Sequence, residues 1–284
     1  MEAWTIQFEP AGLSFTLHTN SEWIGEYFRR EYQHLLVTEP GHTHMSLEKK
    51  EAAEEGSSYQ CTFPNGSISV TSDLSTVLVW LNRNIKKAFQ FTDWWPFHSG
   101  AVLDSQGRCV LLCGHSGSGK TTLCVFLEQC GWQCLTDDLI WFHKGSSILP
   151  MPVSFNIRDD VVADNIVSPA AFPFWFPDID GKRRWIYPNG FSPYNGKEIC
   201  PSAIFMLTFY NGRKAETRRM SASEALQAVL TNAYSSSNMS LNLEMSAKLV
   251  KQVPIFRLWY PNCGCGMDEI EKILDGLMTG GENI

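Results

Sequence analysis

Eight consecutive residues, Gly114-His115-Ser116-Gly117-Ser118-Gly119-Lys120-Thr121, constrain this chain more than any other feature. They fit G-x-x-x-x-G-K-[ST], and at average residue frequencies a chance match in a chain this long arises in roughly one sequence in a hundred. The apolar run Val110-Leu111-Leu112-Cys113 precedes them, and Leu123, Phe126, Leu127 and Cys130 follow at helical spacing. A strand, a glycine loop and a helix in that order make a cradle for phosphate. Glycines let backbone N–H groups turn inward without side-chain collision, and the helix start adds its positive dipole end. Lys120 is expected to pair with the β- and γ-phosphates of a nucleotide such as ATP, and the Thr121 hydroxyl to take one position on Mg²⁺. Gly114, Ser116, Gly117, Ser118, Gly119 and Thr122 complete the expected nucleotide-binding set. A glycine-rich turn with no ligand is the plainer alternative, but it leaves a lysine at a helix start without a purpose.

Beyond the helix, Trp132-Gln133-Cys134-Leu135 reads as a strand ending in Thr136-Asp137-Asp138. Ligands of open α/β sheets bind outside the carboxyl ends of strands, which is where such a pair stands. One carboxylate can hold Mg²⁺ while the other accepts a proton from an attacking hydroxyl; a turn or an N-cap is the bland reading. His98 precedes Ser99-Gly100-Ala101-Val102, a short strand expected to pair with Cys109 to Cys113 across the turn Asp104-Ser105-Gln106-Gly107. That hairpin places His98 near the far end of the strand feeding the loop, without fixing it beside the loop. A satisfied core histidine competes with a phosphate-contacting one.

A histidine ahead of a glycine-led strand, the G-x-S-G-x-G-K-[ST] loop, and a strand ending in Asp-Asp resemble, in this order, the HPr kinase/phosphorylase family over His98 to about Phe142. The resemblance implies an α/β fold with a compact P-loop kinase core related to phosphoenolpyruvate carboxykinase. It implies transfer of phosphate from ATP to a serine of a protein. It further implies that His98 lines the phosphate site, that Lys120 and Thr121 hold nucleotide and Mg²⁺, that Asp137 is the base towards the acceptor hydroxyl, and that Asp138 is its partner at the metal. Bifunctional members carry an acidic residue after the P-loop hydroxyl, whereas Thr122 stands here, so the phosphorylase reaction is not expected. Kinases found with lasso-peptide biosynthesis, thought to phosphorylate a precursor peptide at its C-terminal serine, fit the size and the short N-terminal module. Assembly into a homo-oligomer is compatible with the resemblance.

Residues 1–92 read as a small mixed α+β module and 93–284 as the P-loop domain. In the module, Thr5 to Phe8 and Leu13 to His18 suit strands, Ser21 to Tyr32 a helix, Tyr59 to Val70 a hairpin about Pro64-Asn65-Gly66, and Asp73 to Gln90 a helix; the polar run Glu48 to Ser58 suits a solvated loop. Later, Ala170 to Tyr194 suits a long structured loop or lid, Ser202 to Tyr210 and Val253 to Trp259 strands, and Ser221 to Leu230, Asn242 to Val253 and Asp268 to Met278 helices. Lys182-Arg183-Arg184 follows the turn-like Asp178-Ile179-Asp180-Gly181 and is expected to present three cations together to a substrate, with a solvated basic turn as the alternative. Arg158, Arg213, Arg218 and Arg219 are further candidates. Phe172, Phe174, Trp175, Phe176 and Trp185 suit core packing first and a peptide-binding wall second.

Composition sets the remaining bounds. A net charge of −7 argues against a nucleic-acid partner bound over a broad surface, and no apolar run is long enough for a membrane span. Nine cysteines without a regular framework, behind an N-terminus lacking a secretory pattern, suggest reduced thiols and a soluble, cytoplasmic protein. The expected function is an ATP-dependent kinase acting on a serine or threonine hydroxyl of a peptide or small protein. A P-loop ATPase or nucleotide switch acting on a protein partner, and a small-molecule kinase, are the alternatives.

Overall fold

A computed structural model describes residues 1–8, 13–52, 56–88, 94–143, 147–158, 174–177, 182–187, 199–234 and 239–279. The chain forms a mixed α/β structure with several sheets and six helices among these residues. It divides into two compact units: Met1–Gln90 with Pro152–Pro188, and Phe91–Met151 with Asn189–Ile284.

The first unit is built on strands β1 (Glu2–Phe8), β2 (Leu13–Thr19), β3 (Leu36–Val37), β4 (Thr43–Ala52), β5 (Gly56–Thr62) and β6 (Ile68–Thr71), ordered β3-β1-β2-β4-β5-β6. Period-two alternation buries Ile6, Phe15, Leu17, Met45, Leu47 and Cys61. Helices α1 (Glu22–Glu31) and α2 (Leu74–Ala88) contact this sheet. Ser21 caps α1 by accepting from the Ile24 amide, and the Asp73 carboxylate accepts from the amides of Ser75 and Thr76 at the start of α2. Glu48 to Ser58 is not a loop throughout: β4 and β5 pair from Ser46↔Thr62 to Ala52↔Gly56. The charged side chains there find polar neighbours on the sheet, Lys49 on Glu51 and Lys50 on Gln60, so the ladder forms without apolar alternation.

A second sheet of the same unit, ordered β13-β15-β14, comprises β13 (Phe155–Arg158), β14 (Trp175–Pro177) and β15 (Arg183–Tyr187). The Ser154 hydroxyl donates to the Arg30 carbonyl at 2.7 Å, Asn156 Nδ2 to Glu31 Oε1 at 2.9 Å, and Phe176 meets Tyr27 edge-on at 5.1 Å. These contacts are why the division differs from a single cut after residue 92. Of the expected Ala170 to Tyr194 loop, β14 and β15 are strands; 170–173, 178–181 and 188–194 lie outside the described residues.

The second unit centres on β8 (Gly100–Leu103), β9 (Cys109–Cys113), β10 (Gln133–Thr136), β16 (Pro201–Phe209), β17 (Glu216–Arg219) and β18 (Ile255–Tyr260), ordered β10-β8-β9-β16-β18-β17. The strands β9, β16 and β18 run parallel; the others join antiparallel. All five residues of β9 are buried, as a strand covered on both faces requires. Leu111 and Cys113 share a core with Val229 of α4 (Ala222–Asn232), Leu249 of α5 (Met239–Gln252), Phe97 of β7 (Trp94–His98) and Phe142 of β11 (Leu139–His143). β7 and β11 form a further sheet with β12 (Ser147–Pro150), ordered β12-β11-β7. Helix α3 (Lys120–Gln129) contacts β8 and β10, and α6 (Cys263–Met278) contacts β18 and α3. α6 starts earlier than the expected Asp268, because Asn262 Oδ1 caps it at the Cys265 amide, 2.9 Å away; Gly264 and Gly266 disguised that first turn. No helix among the described residues is long and apolar enough to cross a membrane.

Candidate phosphate-binding site

The fully buried strand β9 delivers the chain into the loop 114–119, and α3 starts at Lys120. Gly117 and Gly119 have φ of 82° and 87°, a region costly for any residue with a Cβ. At Gly119 space forbids a side chain as well: a Cβ would stand 2.2 Å from the Tyr260 hydroxyl. That hydroxyl donates to the Ser118 carbonyl at 2.9 Å, so the end of β18 props the loop from below. The Gly114 amide donates to Asn232 Oδ1 at 3.1 Å, while Asn232 Nδ2 is held by the Ala228 carbonyl at 2.8 Å. Neither Tyr260 nor Asn232 was a sequence candidate, since nothing local in the sequence ties them to a loop more than a hundred residues away.

Lys120 is 7% exposed and its ammonium donates to the Gly114 and His115 carbonyls. Burial pushes its pKa down, against the pull of Cys113, Asp138 and Asp137. The Ser118 hydroxyl is buried and has no hydrogen-bond partner among the described residues. A buried polar atom left unpaired costs roughly 1–3 kcal/mol, a cost that a bound acceptor oxygen would remove. Ser116 is exposed on the loop, and Thr122 is half-buried in the first turn of α3.

The register of β10 against β8 shifts between Cys134 and Thr136. The extra residue bends the strand end. Just beyond it Asp137 is buried, 6% exposed. Burial first, and then the charge of Asp138, push its carboxyl up to about 6; a hydrogen bond from the Thr121 hydroxyl and the nearby His98 pull the other way. The P-loop threonine therefore lies close to Asp137.

His98 pairs with Leu139 across β7 and β11, and Ser99 donates from its amide to the Asp138 carbonyl at 3.1 Å. Gly100 pairs with Leu112, so this segment meets β9 at its loop end; the Ser99 hydroxyl is within hydrogen-bond distance of the Gly100 and Leu112 carbonyls. His98 Nδ1 stands 2.9 Å from the Asp138 carbonyl and 3.1 Å from Asp138 Oδ1. Both are acceptors, so Nδ1 carries a proton, and in the neutral ring Nε2 is the acceptor nitrogen. The Tyr234 hydroxyl lies 3.4 Å from the same Nδ1.

Lys182, Arg183 and Arg184 belong to the first unit, and the second and third are in β15 rather than in a turn. Strand alternation sends Arg183 and Arg184 to opposite faces, so the triplet is not presented together. Arg183 lies over the Trp175 ring, 4.9 Å from its centroid, beside Trp185, which pairs with Trp175. Arg218 is engaged by Glu224 at 2.7 Å. Asp178 to Gly181 and Phe172 lie outside the described residues. All nine cysteines are free thiols, and the described residues hold no group of three or more His, Cys, Asp or Glu arranged for a metal. Magnesium does not require one: it takes one or two carboxylates with substrate phosphates and water, and the Thr121 hydroxyl with the Asp137 and Asp138 carboxylates fits that hard, oxygen-only donor set.

No protein-family model matches the chain, and no curated protein matches it in sequence. Among solved structures it is similar to the Hpr(Ser) kinase/phosphatase from Coxiella burnetii, with a TM-score of 0.29, 12% identity, and coverage of 66% of this chain and 99% of that one. At that overlap the likeness carries no conclusion about the reaction.

Proposed function

We propose that the second unit is an ATP-dependent phosphotransferase core, of the HPr kinase and phosphoenolpyruvate carboxykinase kind, acting on a serine or threonine hydroxyl of a peptide or small protein. One observation carries this reading. The loop presents a buried lysine and an orphaned hydroxyl at a helix start, and its Thr121 lies close to a carboxylate whose pKa, pushed up to about 6, suits a base near neutral pH. An oxygen-binding loop and a proton acceptor close to it supply what transfer to a hydroxyl needs.

In this reading Lys120 and the loop amides hold the triphosphate and offset its charge. Thr121 and Asp138 would hold Mg²⁺, which when bound would neutralise charge on the phosphates. Asp137 takes the proton of the acceptor hydroxyl as the new O–P bond forms and the bond to the β,γ-bridging oxygen breaks, with ADP leaving. His98, its Nδ1 proton held by Asp138, lines the phosphate site. A second arrangement is favoured by the nearness of Thr121: Asp137 would sit at the metal, and His98 Nε2, backed by Asp138, takes the proton.

Labelled ATP, candidate peptides and mass spectrometry test the proposal. Lys120→Ala is expected to abolish nucleotide binding and turnover, and retained activity refutes the cradle. Asp137→Asn is expected to keep ATP affinity while lowering transfer by roughly two to four orders of magnitude. Parallel loss of magnesium-dependent ATP binding in that variant, with His98→Ala impairing transfer alone, selects the second arrangement. Turnover stimulated by a partner that stays unmodified would instead identify a nucleotide switch, and transfer to a free metabolite a small-molecule kinase.

A further inference from the structure

The turn between β5 and β6 and the second half of α2 line an open cleft of about 540 Å³ in the first unit. Phe63 and Trp80 line it, meeting edge-on at 5.6 Å. Arg83 and Lys87, exposed and one helical turn apart, also line it, and neither has an ion-pair or hydrogen-bond partner among the described residues. In a chain of net charge −7, two uncommitted cations beside an aromatic pair are a local exception.

The same turn leads into β6, the edge strand of the six-stranded sheet. Ile68 and Val70 are 60% and 62% exposed there, on a strand without the lysine or proline that usually blunts an edge. Among the described residues nothing pairs with the outer edge of β6, and an edge with β-branched side chains pairs readily with an extended chain whose side chains an adjacent pocket reads.

We propose that this surface docks an acidic peptide segment in extended form. The segment pairs along β6, places an apolar or aromatic side chain against Phe63 and Trp80, and sets its carboxylates on Arg83 and Lys87. Charge complementarity selects an acidic occupant, and the bare edge selects a peptide backbone over a nucleic acid. The inference rests on the phosphotransferase reading only in identifying the docked peptide as the acceptor.

The test uses the full chain without nucleotide or metal, so its failure leaves the phosphotransferase reading standing. The probe is a fluorescein-labelled decapeptide alternating glutamate with phenylalanine or valine, followed by anisotropy. Saturable, salt-weakened binding is expected, with Trp80 emission changing and amide exchange of residues 68–71 slowing. The Arg83→Glu, Lys87→Glu double variant is expected to lose affinity about tenfold or more, because like charges then face each other. Ile68→Lys with Val70→Lys, at exposed positions that leave the core intact, is expected to abolish the exchange protection. Absence of saturable binding, equal binding by the folded charge-reversed variant, unprotected 68–71 amides, or displacement by a thymidine decamer would each overturn the proposal.

Discussion

Asp137→Asn should make the protein more stable at the pH where it makes it inactive. The native carboxyl titrates at about 6 against an ordinary 3.8, chiefly because it is buried and then because Asp138 stands beside it. Between those values the folded chain keeps a proton that the unfolded chain has released, so stability falls as pH rises through that window, and the full cost stands above it. A shift of about two units at about 1.36 kcal/mol each gives a cost of roughly 3 kcal/mol. Asparagine keeps an acceptor for Thr121 and removes the charge. Above about pH 7 the variant should gain roughly 1–3 kcal/mol, or on the order of 3–10 °C in the unfolding of its unit. Near about pH 4 the difference should shrink towards zero. Scanning calorimetry of both proteins across that range reads it. A variant less stable than wild type above pH 7, or an offset that does not change with pH, would refute the argument that burial of charge sets the Asp137 environment.

Gly119→Ala places a methyl against the Tyr260 hydroxyl and forces a left-handed alanine. Nucleotide affinity should fall by at least tenfold, a loss of about 1.4 kcal/mol, and Gly119→Ala with Tyr260→Phe should recover only part of it, as isothermal titration would show. Asn232→Ala strips the Gly114 amide of its acceptor, an unpaired-donor cost of roughly 1–3 kcal/mol, and should raise the KM for ATP with unchanged far-UV circular dichroism. Ser221→Ala breaks the reciprocal Ser221 and Glu224 cap of α4 and should cost about 1 kcal/mol in urea denaturation without altering nucleotide binding.

What the sequence made legible was what local pattern encodes. The loop 114–121, the strand before it and the helix after it announce themselves by glycine spacing and apolar periodicity, and the structure has them in that order. Ser21, Asp73 and Ser221 each begin a helix because a short polar side chain reaches back to an amide a few residues on. The supports of the loop were not legible. Asn232 and Tyr260 arrive from α4 and β18, and only the tertiary path brings them to Gly114 and Gly119. The bulge at Leu135 was equally hidden, because a register shift belongs to a pair of strands and not to either one. Glu48 to Ala52 misled because charge reads as solvent exposure, yet a strand with a wet face tolerates charge as well as a loop does. Lys182-Arg183-Arg184 misled in the opposite sense: adjacency in sequence suggested a cluster, and pleating separated it.

The division of the chain between its units has a consequence for how it is made. The polypeptide leaves the first unit after Gln90, returns to it at Pro152, and departs for good after Pro188. A ribosome releasing this chain therefore opens the first unit, interrupts it with the phosphate loop and the Asp137 strand, and only then supplies the strands that complete it. The phosphate loop in turn waits for β16, the parallel neighbour of β9, and for β18, which pairs with β16 and carries the Tyr260 hydroxyl. A single cut after Gln90 parts the first unit from its own residues 152–188, so a shortened gene for the P-loop region must carry that segment or splice it out.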